Sequence, residues 1–152
     1  MATMADVLGV DLPDTCAEDS VSNLPLWKDP GSPEVRKDIV HQSIDGSLSI
    51  RRGQYKLELC PGSGGWSAPI PGKEDTTAPR FQLYDLSMDI SERRNVIEDH
   101  LELASELKEV LKGYIENGRS TPGAPQSNNG QRIWNTIGWL DEEDGGEIKI
   151  YK

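Results

Sequence analysis

Cys60-Pro61-Gly62-Ser63-Gly64-Gly65-Trp66 is the run whose residue types and spacing first invite a chemical reading. A thiol can act as a nucleophile, and a glycine-rich turn can cradle a phosphate through its backbone N–H groups. The phosphate reading needs a lysine followed by a hydroxyl residue at the opening of a helix. Here Trp66-Ser67-Ala68-Pro69 continues a loop instead. The nucleophile reading needs a base beside Cys60 and a lowered thiol pKa, whereas a cysteine that closes a strand after Leu59 is expected to be buried and inert. The glycines then serve a turn that requires positive φ.

The two histidines are His41 and His100. His100 falls in the first turn of a predicted helix among acids, where a surface place is expected. His41 lies in Val40-His41-Gln42-Ser43, at the end of an apolar step just before a predicted hairpin. Carboxylates are plentiful, but acid–base work needs two of them converging in a water-poor pocket. Glu18-Asp19, Asp141-Glu142-Glu143-Asp144 and the acids of the long helix show no such spacing and read as solvated faces. No run has the oxygen-ligand pattern of an EF-hand loop. Cys16 and Cys60 have no metal-type spacing and are expected to form one bridge or none.

The elements that must position these residues follow from periodicity. Ala2 to Leu8 has helical spacing with Gly9 at its end, as in the last turns of a helix that begins earlier. Asp11 to Asp38 is punctuated by Pro13, Pro25, Pro30 and Pro33 and reads as loop, anchored by Leu24, Leu26 and Trp27. Strand character starts at Ile39-Val40. Leu48 and Ile50, then Tyr55, Leu57 and Leu59, alternate with polar residues around Gly53, which predicts an antiparallel hairpin with one apolar and one wet face. Phe81 and Leu83 predict a further strand over Arg80 to Leu86.

The strongest helical stripe is Leu103, Ala104, Leu107, Val110, Leu111 and Tyr114, predicting a helix from Asp99 to Asn117 with Asp99 as cap and Gly118 as stop. That stripe must cover something, and the apolar face of the hairpin is the natural partner. After Gly118 comes a Pro/Gly/Ser/Asn tract, and Trp134, Ile137 and Trp139-Leu140 are expected to dock as a short helix or strand. Structureless connections beyond about 12–15 residues are uncommon in compact domains. Trp27 and Trp66 in such connections point to loops laid on a further surface.

Composition restricts the function classes. The chain has 152 residues, 35% of them hydrophobic, and a formal net charge of −10. Any core is therefore small, and the acidity is spread along the chain rather than opposed by clustered Lys and Arg. Nucleic acid is excluded as a partner on that ground. Met1 to Val10 carry Asp6 and a short apolar run broken by Gly9, so neither a secretory leader nor a membrane span is expected there, and the compartment stays open.

Taken together, Ser47 to Ser67, with the Cys60 loop at its end, and Leu83-Tyr84-Asp85-Leu86-Ser87-Met88-Asp89-Ile90-Ser91-Glu92-Arg93-Arg94-Asn95-Val96 resemble the arylsulfatase-type sulfatases. The second stretch is similar to that family's Leu-Tyr-Asp-Leu-x-x-Asp-Pro-x-Glu-x-x-Asn-Leu, with Ile90 for Pro and Val96 for Leu. Val40-His41-Gln42-Ser43 is similar to a Val-His-His-Ser stretch near the family's substrate cleft, with Gln42 departing from the second histidine. Gly118-Arg119-Ser120-Thr121-Pro122-Gly123 and Met1 to Ser22 also look like family segments.

The resemblance implies an α+β fold, a small antiparallel sheet of about four strands packed on one long C-terminal helix, with long loops. By the same resemblance it is expected to be the C-terminal subdomain of the sulfatase and alkaline-phosphatase-like fold. It implies three parts: 1–38 as the end of a catalytic domain and linker, 39–117 as the sheet-plus-helix domain, and 118–152 as an extended tail. Sulfatases make a formylglycine nucleophile from the first residue of Cys/Ser-x-Pro-x-Arg. Gly62 and Gly64 stand where that Pro and Arg would follow Cys60.

Formylglycine, calcium and the sulfate-binding residues of the family are therefore expected on a separate catalytic domain, which is the implied partner. No catalytic or metal-binding residue is assigned in this chain, which is expected to be inactive alone on the sulfate esters the family hydrolyses. His41, Ser43, Ser63 and Trp66 are the expected substrate contacts. The alternative is a stand-alone, non-catalytic module that binds a sugar or a protein through the Trp66 loop.

Overall fold

Strands β1 (Asp38–Gln42), β2 (Leu48–Arg52), β3 (Tyr55–Glu58) and β4 (Gln82–Asp85) pair in that order as one antiparallel meander. In this computed structural model residues 1–74, 77–128 and 135–141 are described. Val40, Ile50, Leu57 and Leu83 stand opposite one another in successive strands. Ile50, Leu57 and Leu83 are fully buried. That row is the period-two apolar face of the sequence, and its β-branched and leucine side chains suit a half-covered pleated surface.

Helix α3 spans Leu101–Asn117, with Ala104, Leu107 and Leu111 of the predicted stripe buried. It begins two residues later than the spacing suggests. Asp99 lies instead in a 3-10 turn, Ile97–Asp99, and the first α-helical bond runs from Ala104 N–H to the His100 carbonyl. Arg52 ties the sheet to the helix, pairing with Asp38 on β1 and with Glu106 at 2.5 Å. Lys108 was not foreseen in the core, yet it is 3% exposed with its ammonium 5.8 Å from the Phe81 ring centre. A cation over an aromatic face tolerates burial better than a bare charge. The predicted tail element is a 3-10 helix, Asn135–Asp141, with Ile137 and Trp139 buried. Trp134 and Glu142 to Asp144 lie outside the described residues.

The described residues divide into two units. Residues 38–74, 77–111 and 135–141 hold the sheet, and residues 1–37 and 112–128 make the other. In the latter, helix α1 (Ala2–Leu8) ends at Gly9 in a left-handed conformation, as its sequence predicts. The expected loop of 11–38 contains a short helix α2 (Leu24–Lys28) with Pro25 in its first turn, and Trp27, expected as an anchor, is 61% exposed. Ser20 Oγ accepts the N–H of Ala2, and Thr3 Oγ1 accepts that of Asn23. Arg119 is buried and donates to Asp14, Thr121 and Ala124. These bonds order the Gly/Pro tract after α3.

Candidate functional site

The face of the sheet opposite the core carries the polar chemistry, and strand register decides which side chains meet. His41, Ser49, Glu58 and Gln82 form one cross-strand row, and Lys56 faces Tyr84 in the next row on the same side. The sequence predicts a wet face here, but Ser49 and Tyr84 are 8% and 6% exposed. The difference arises because the loop after β3 and the turn after β4 fold over this face. Together they enclose a cleft of about 500 Å³.

The Cys60 loop forms one wall. Ser63 N–H donates to the Pro69 carbonyl at 3.0 Å, and Ser63 Oγ donates to the Ser67 carbonyl at 2.7 Å while accepting the Gly65 N–H. Ser43 Oγ donates to the Ser63 carbonyl at 3.4 Å, joining the β1–β2 turn to the loop. Gly64 has φ +60, and a Cβ there would sit 2.9 Å from Ser43 Cβ. Both the conformation and the closeness require glycine. Among the described residues the next element after the loop is strand β4 and not a helix, unlike a phosphate cradle.

The other wall comes from Leu83 to Asn95, whose residue types build a turn. Asp85 Oδ1 accepts from the Ser87 N–H and hydroxyl, and Asp89 Oδ2 accepts the N–H groups of Arg93 and Arg94. Asn95 Oδ1 accepts the N–H groups of Leu83 and Ile97. This returns Glu92 to the floor, where both its carboxylate oxygens lie within 3.0 Å of Lys56 Nζ and Glu58 Oε1 lies at 2.7 Å. Gln82 Nε2 donates to the Cys60 and Gly62 carbonyls, and Tyr84 OH donates to Gln82 Oε1 at 2.6 Å.

Electrostatics on this floor follow from partial burial and a surplus of carboxylate. Burial pulls the Lys56 ammonium down, but bonds to Glu58 and Glu92 outweigh it and hold the group above the ordinary lysine value. Burial pushes the Glu58 carboxyl up, and Lys56 opposes this without cancelling it because Glu92 shares the same ammonium and adds its own charge. Tyr84 is pushed up to about 12 by burial and by Glu58 and Glu92.

Cys60 is pushed up to about 11, first by burial and then by the Glu58 charge. Both cysteines are free. With the Cys60 thiol about two units above its ordinary 9.0, its thiolate fraction at neutral pH falls about a hundredfold. Iodoacetamide at pH 7.5 is accordingly expected to label Cys60 about a hundredfold more slowly than a small free thiol. Mass spectrometry of the labelled peptide reads this, and labelling as fast as the free thiol would refute the inert role.

Of the residues expected at a substrate site, His41, Ser43 and Ser63 line this one cleft. Trp66 does not; it is 88% exposed outside the lining. His100 is exposed, with its ring 5.5 Å from that of Tyr55. Sequence reasoning missed Lys56, Glu58, Gln82, Tyr84 and Glu92 as a group. The available signals were the period-two face of β3 and the glutamate of the Leu-Tyr-Asp-Leu motif. Among the described residues no group of three or more His, Cys, Asp or Glu side chains converges in a way that would hold a metal ion.

The meander with its helix has the fold of a sulfatase subdomain. A sulfatase structure, solved in work on the metabolism of multiple glycosaminoglycans by Bacteroides thetaiotaomicron, matches with a TM-score of 0.57 and 37% identity, over 74% of this chain and 23% of that one. A curated N-acetylgalactosamine-6-O-sulfatase from Bacteroides thetaiotaomicron is 36% identical over 116 residues, which is 73% of this chain and 21% of the relative. The chain belongs to the sulfatase family and spans about a fifth of the length of the curated relative it matches. Ps i-CgsB in complex with k-i-k-neocarrahexaose shares the fold at a TM-score of 0.50 and 16% identity, over 82% of this chain and 25% of that one. No family model matches the chain. Among the described residues no helix is long and apolar enough to cross a membrane.

Proposed function

We propose that this chain is the C-terminal portion of an arylsulfatase-like sulfuric ester hydrolase and that it lines the substrate cleft without being catalytic alone. The observation that carries this reading is the convergence of His41, Ser43 and Ser63 on one polar cleft in a chain 37% identical to a sulfatase over that fold. Cys60 does not fit a formylglycine precursor, because Gly62 and Gly64 occupy the positions of the required Pro and Arg. The described residues do not fit a calcium site either. On this reading the nucleophile and the ion come from a separate catalytic domain, which is the proposed partner, and this chain contacts the alcohol side of the sulfate ester.

Two measurements test this. The purified chain is expected to show no turnover of a chromogenic aryl sulfate with or without calcium, and calcium-dependent turnover would refute the inactivity. In a titration with N-acetylgalactosamine, the sugar named in the curated relative, NMR shifts are expected at His41, Ser43 and Ser63. The exposed Trp66 favours the second reading, a stand-alone sugar- or protein-binding module. Shifts confined to Trp66 would select that module over the cleft.

A further inference from the structure

We propose that the cleft floor reads hydrogen-bond donors on an uncharged, hydroxyl-bearing sugar ring and rejects rings that carry a second anionic group. This deepens, and rests on, the cleft-lining reading above. It comes from a count of donors and acceptors on the floor. An ammonium has three donors, and Lys56 Nζ has three carboxylate oxygens within 3.0 Å. An amide nitrogen has two donors, and Gln82 Nε2 uses both on the Cys60 and Gly62 carbonyls. Tyr84 has one, and it goes to Gln82 Oε1.

The donors of these three side chains are thus committed within the protein, while the carboxylates of Glu58 and Glu92 keep acceptor capacity, since each oxygen can take two hydrogen bonds. Hydroxyl and N–H groups of a ring match that surface. A sulfate or carboxylate substituent is acceptor-only and finds no uncommitted donor on Lys56, Gln82 or Tyr84, which leaves the neutral His41 and serine groups of the lining as its donors. Charge acts in the same direction. Lys56, Glu58 and Glu92 sum to one ammonium against two carboxylates, and all three side chains are at most 30% exposed. Partial burial reduces screening of the surplus charge, so it acts on anything that enters.

The test compares two rings of the same galacto configuration, N-acetylgalactosamine and galacturonate, each titrated into the full chain at fixed ionic strength. Backbone NMR shifts of Ser49, Glu58, Gln82 and Tyr84 report occupancy. N-acetylgalactosamine is expected to shift them, with galacturonate weaker by about tenfold or more, because unpaired like charges are strongly disfavoured. Glu92→Gln keeps the shape, removes the surplus charge and supplies an amide donor, and is expected to shrink that gap to about threefold or less.

Equal binding of the two rings by the unmodified chain would overturn the proposal while leaving the cleft reading intact. So would an unchanged gap in a Glu92→Gln protein that keeps its melting temperature. If neither ring shifts any cleft residue, the cleft reading itself fails and the proposal falls with it.

Discussion

Between pH 9 and pH 12 the sheet unit is expected to lose stability steadily, while remaining intact from neutral pH up to about pH 9. Cys60, Tyr84 and Lys56 all border the same cleft, and all have raised pKa values, to about 11 for Cys60 and about 12 for Tyr84. A raised value means that the folded state holds its proton after the unfolded chain has released it. The unfolded state is therefore favoured as pH rises through the ordinary values, 9.0 for the thiol, 10.0 for the phenol and 10.5 for the ammonium. The causes share one origin. Burial disfavours the thiolate and phenolate, and the carboxylates of Glu58 and Glu92, with Asp45 and Asp89 further out, repel them.

A two-unit shift corresponds to about 2.7 kcal/mol at full strength, and partial solvent access reduces it, so the combined loss is on the order of 2–4 kcal/mol. Against the roughly 5–15 kcal/mol of a typical domain this is a large share. Thermal melts followed by circular dichroism across pH 8 to 12 measure it, and Tyr84→Phe is expected to flatten the slope above pH 10. A melting temperature that stays constant from pH 9 to 12 would contradict the assigned burial.

The second large effect is expected at Gly123, in the other unit. Its φ is +147, and a Cβ there would lie 2.2 Å from both Arg119 Nη1 and Asp14 Oδ1. Those two atoms form an ion pair at 2.9 Å, and the partner oxygen, Asp14 Oδ2, accepts the Ala124 N–H at 2.8 Å. The Ala124 N–H and the Arg119 guanidinium hold the Asp14 carboxyl below the usual aspartate value. Gly123→Ala must therefore displace backbone or break the pair, and there is no flexible side-chain end to give way cheaply except the pair itself.

Amide exchange at Arg119, Ser120 and Ala124 is expected to accelerate about tenfold to a hundredfold in Gly123→Ala, as local opening becomes easier. Gly113→Ala is the matched control. It lies within α3 with nothing within 4 Å of its new Cβ, and alanine there is expected to add up to about 1 kcal/mol of helix stability. Unchanged exchange in Gly123→Ala would show that the clamp does not hold the segment.

Much of the sheet was legible because one face is buried. Ile50, Leu57 and Leu83 enforce period two, and a burial pattern of that kind shows directly in sequence. The stripe of α3 was legible for the same reason, with Gly118 at φ +62 as its stop. The start of α3 was not, because Asp99 has capping chemistry but the chain makes a 3-10 turn through it before Leu101. Helix α2 was hidden by Pro25, which reads as a loop residue yet suits the first turn of a helix.

The cleft was half legible. His41, Ser43 and Ser63 came from the resemblance and from their places beside the hairpin. The Lys56, Glu58 and Glu92 cluster did not, since Lys56 and Glu92 are 36 residues apart and meet only through the turn that Asp85, Asp89 and Asn95 build. Alternation says that Lys56 and Glu58 point away from the core. It does not say that a later segment will cover them.

The cross-strand rows also govern which length changes this protein can accept. Core residues and cleft residues alternate along the same strands, so one added or deleted residue within β1 to β4 would move leucines into the cleft and charges into the core. A change of two residues keeps each side chain on its side, and the exposed turn at Gly53 or the loop around Gly72, where nothing lies within 4 Å of either glycine's Cβ position, offers room for longer insertions. Descendants of this sequence can therefore vary in length at Gly53 and Gly72, while the cleft floor passes from one to the next only together with the core beneath it.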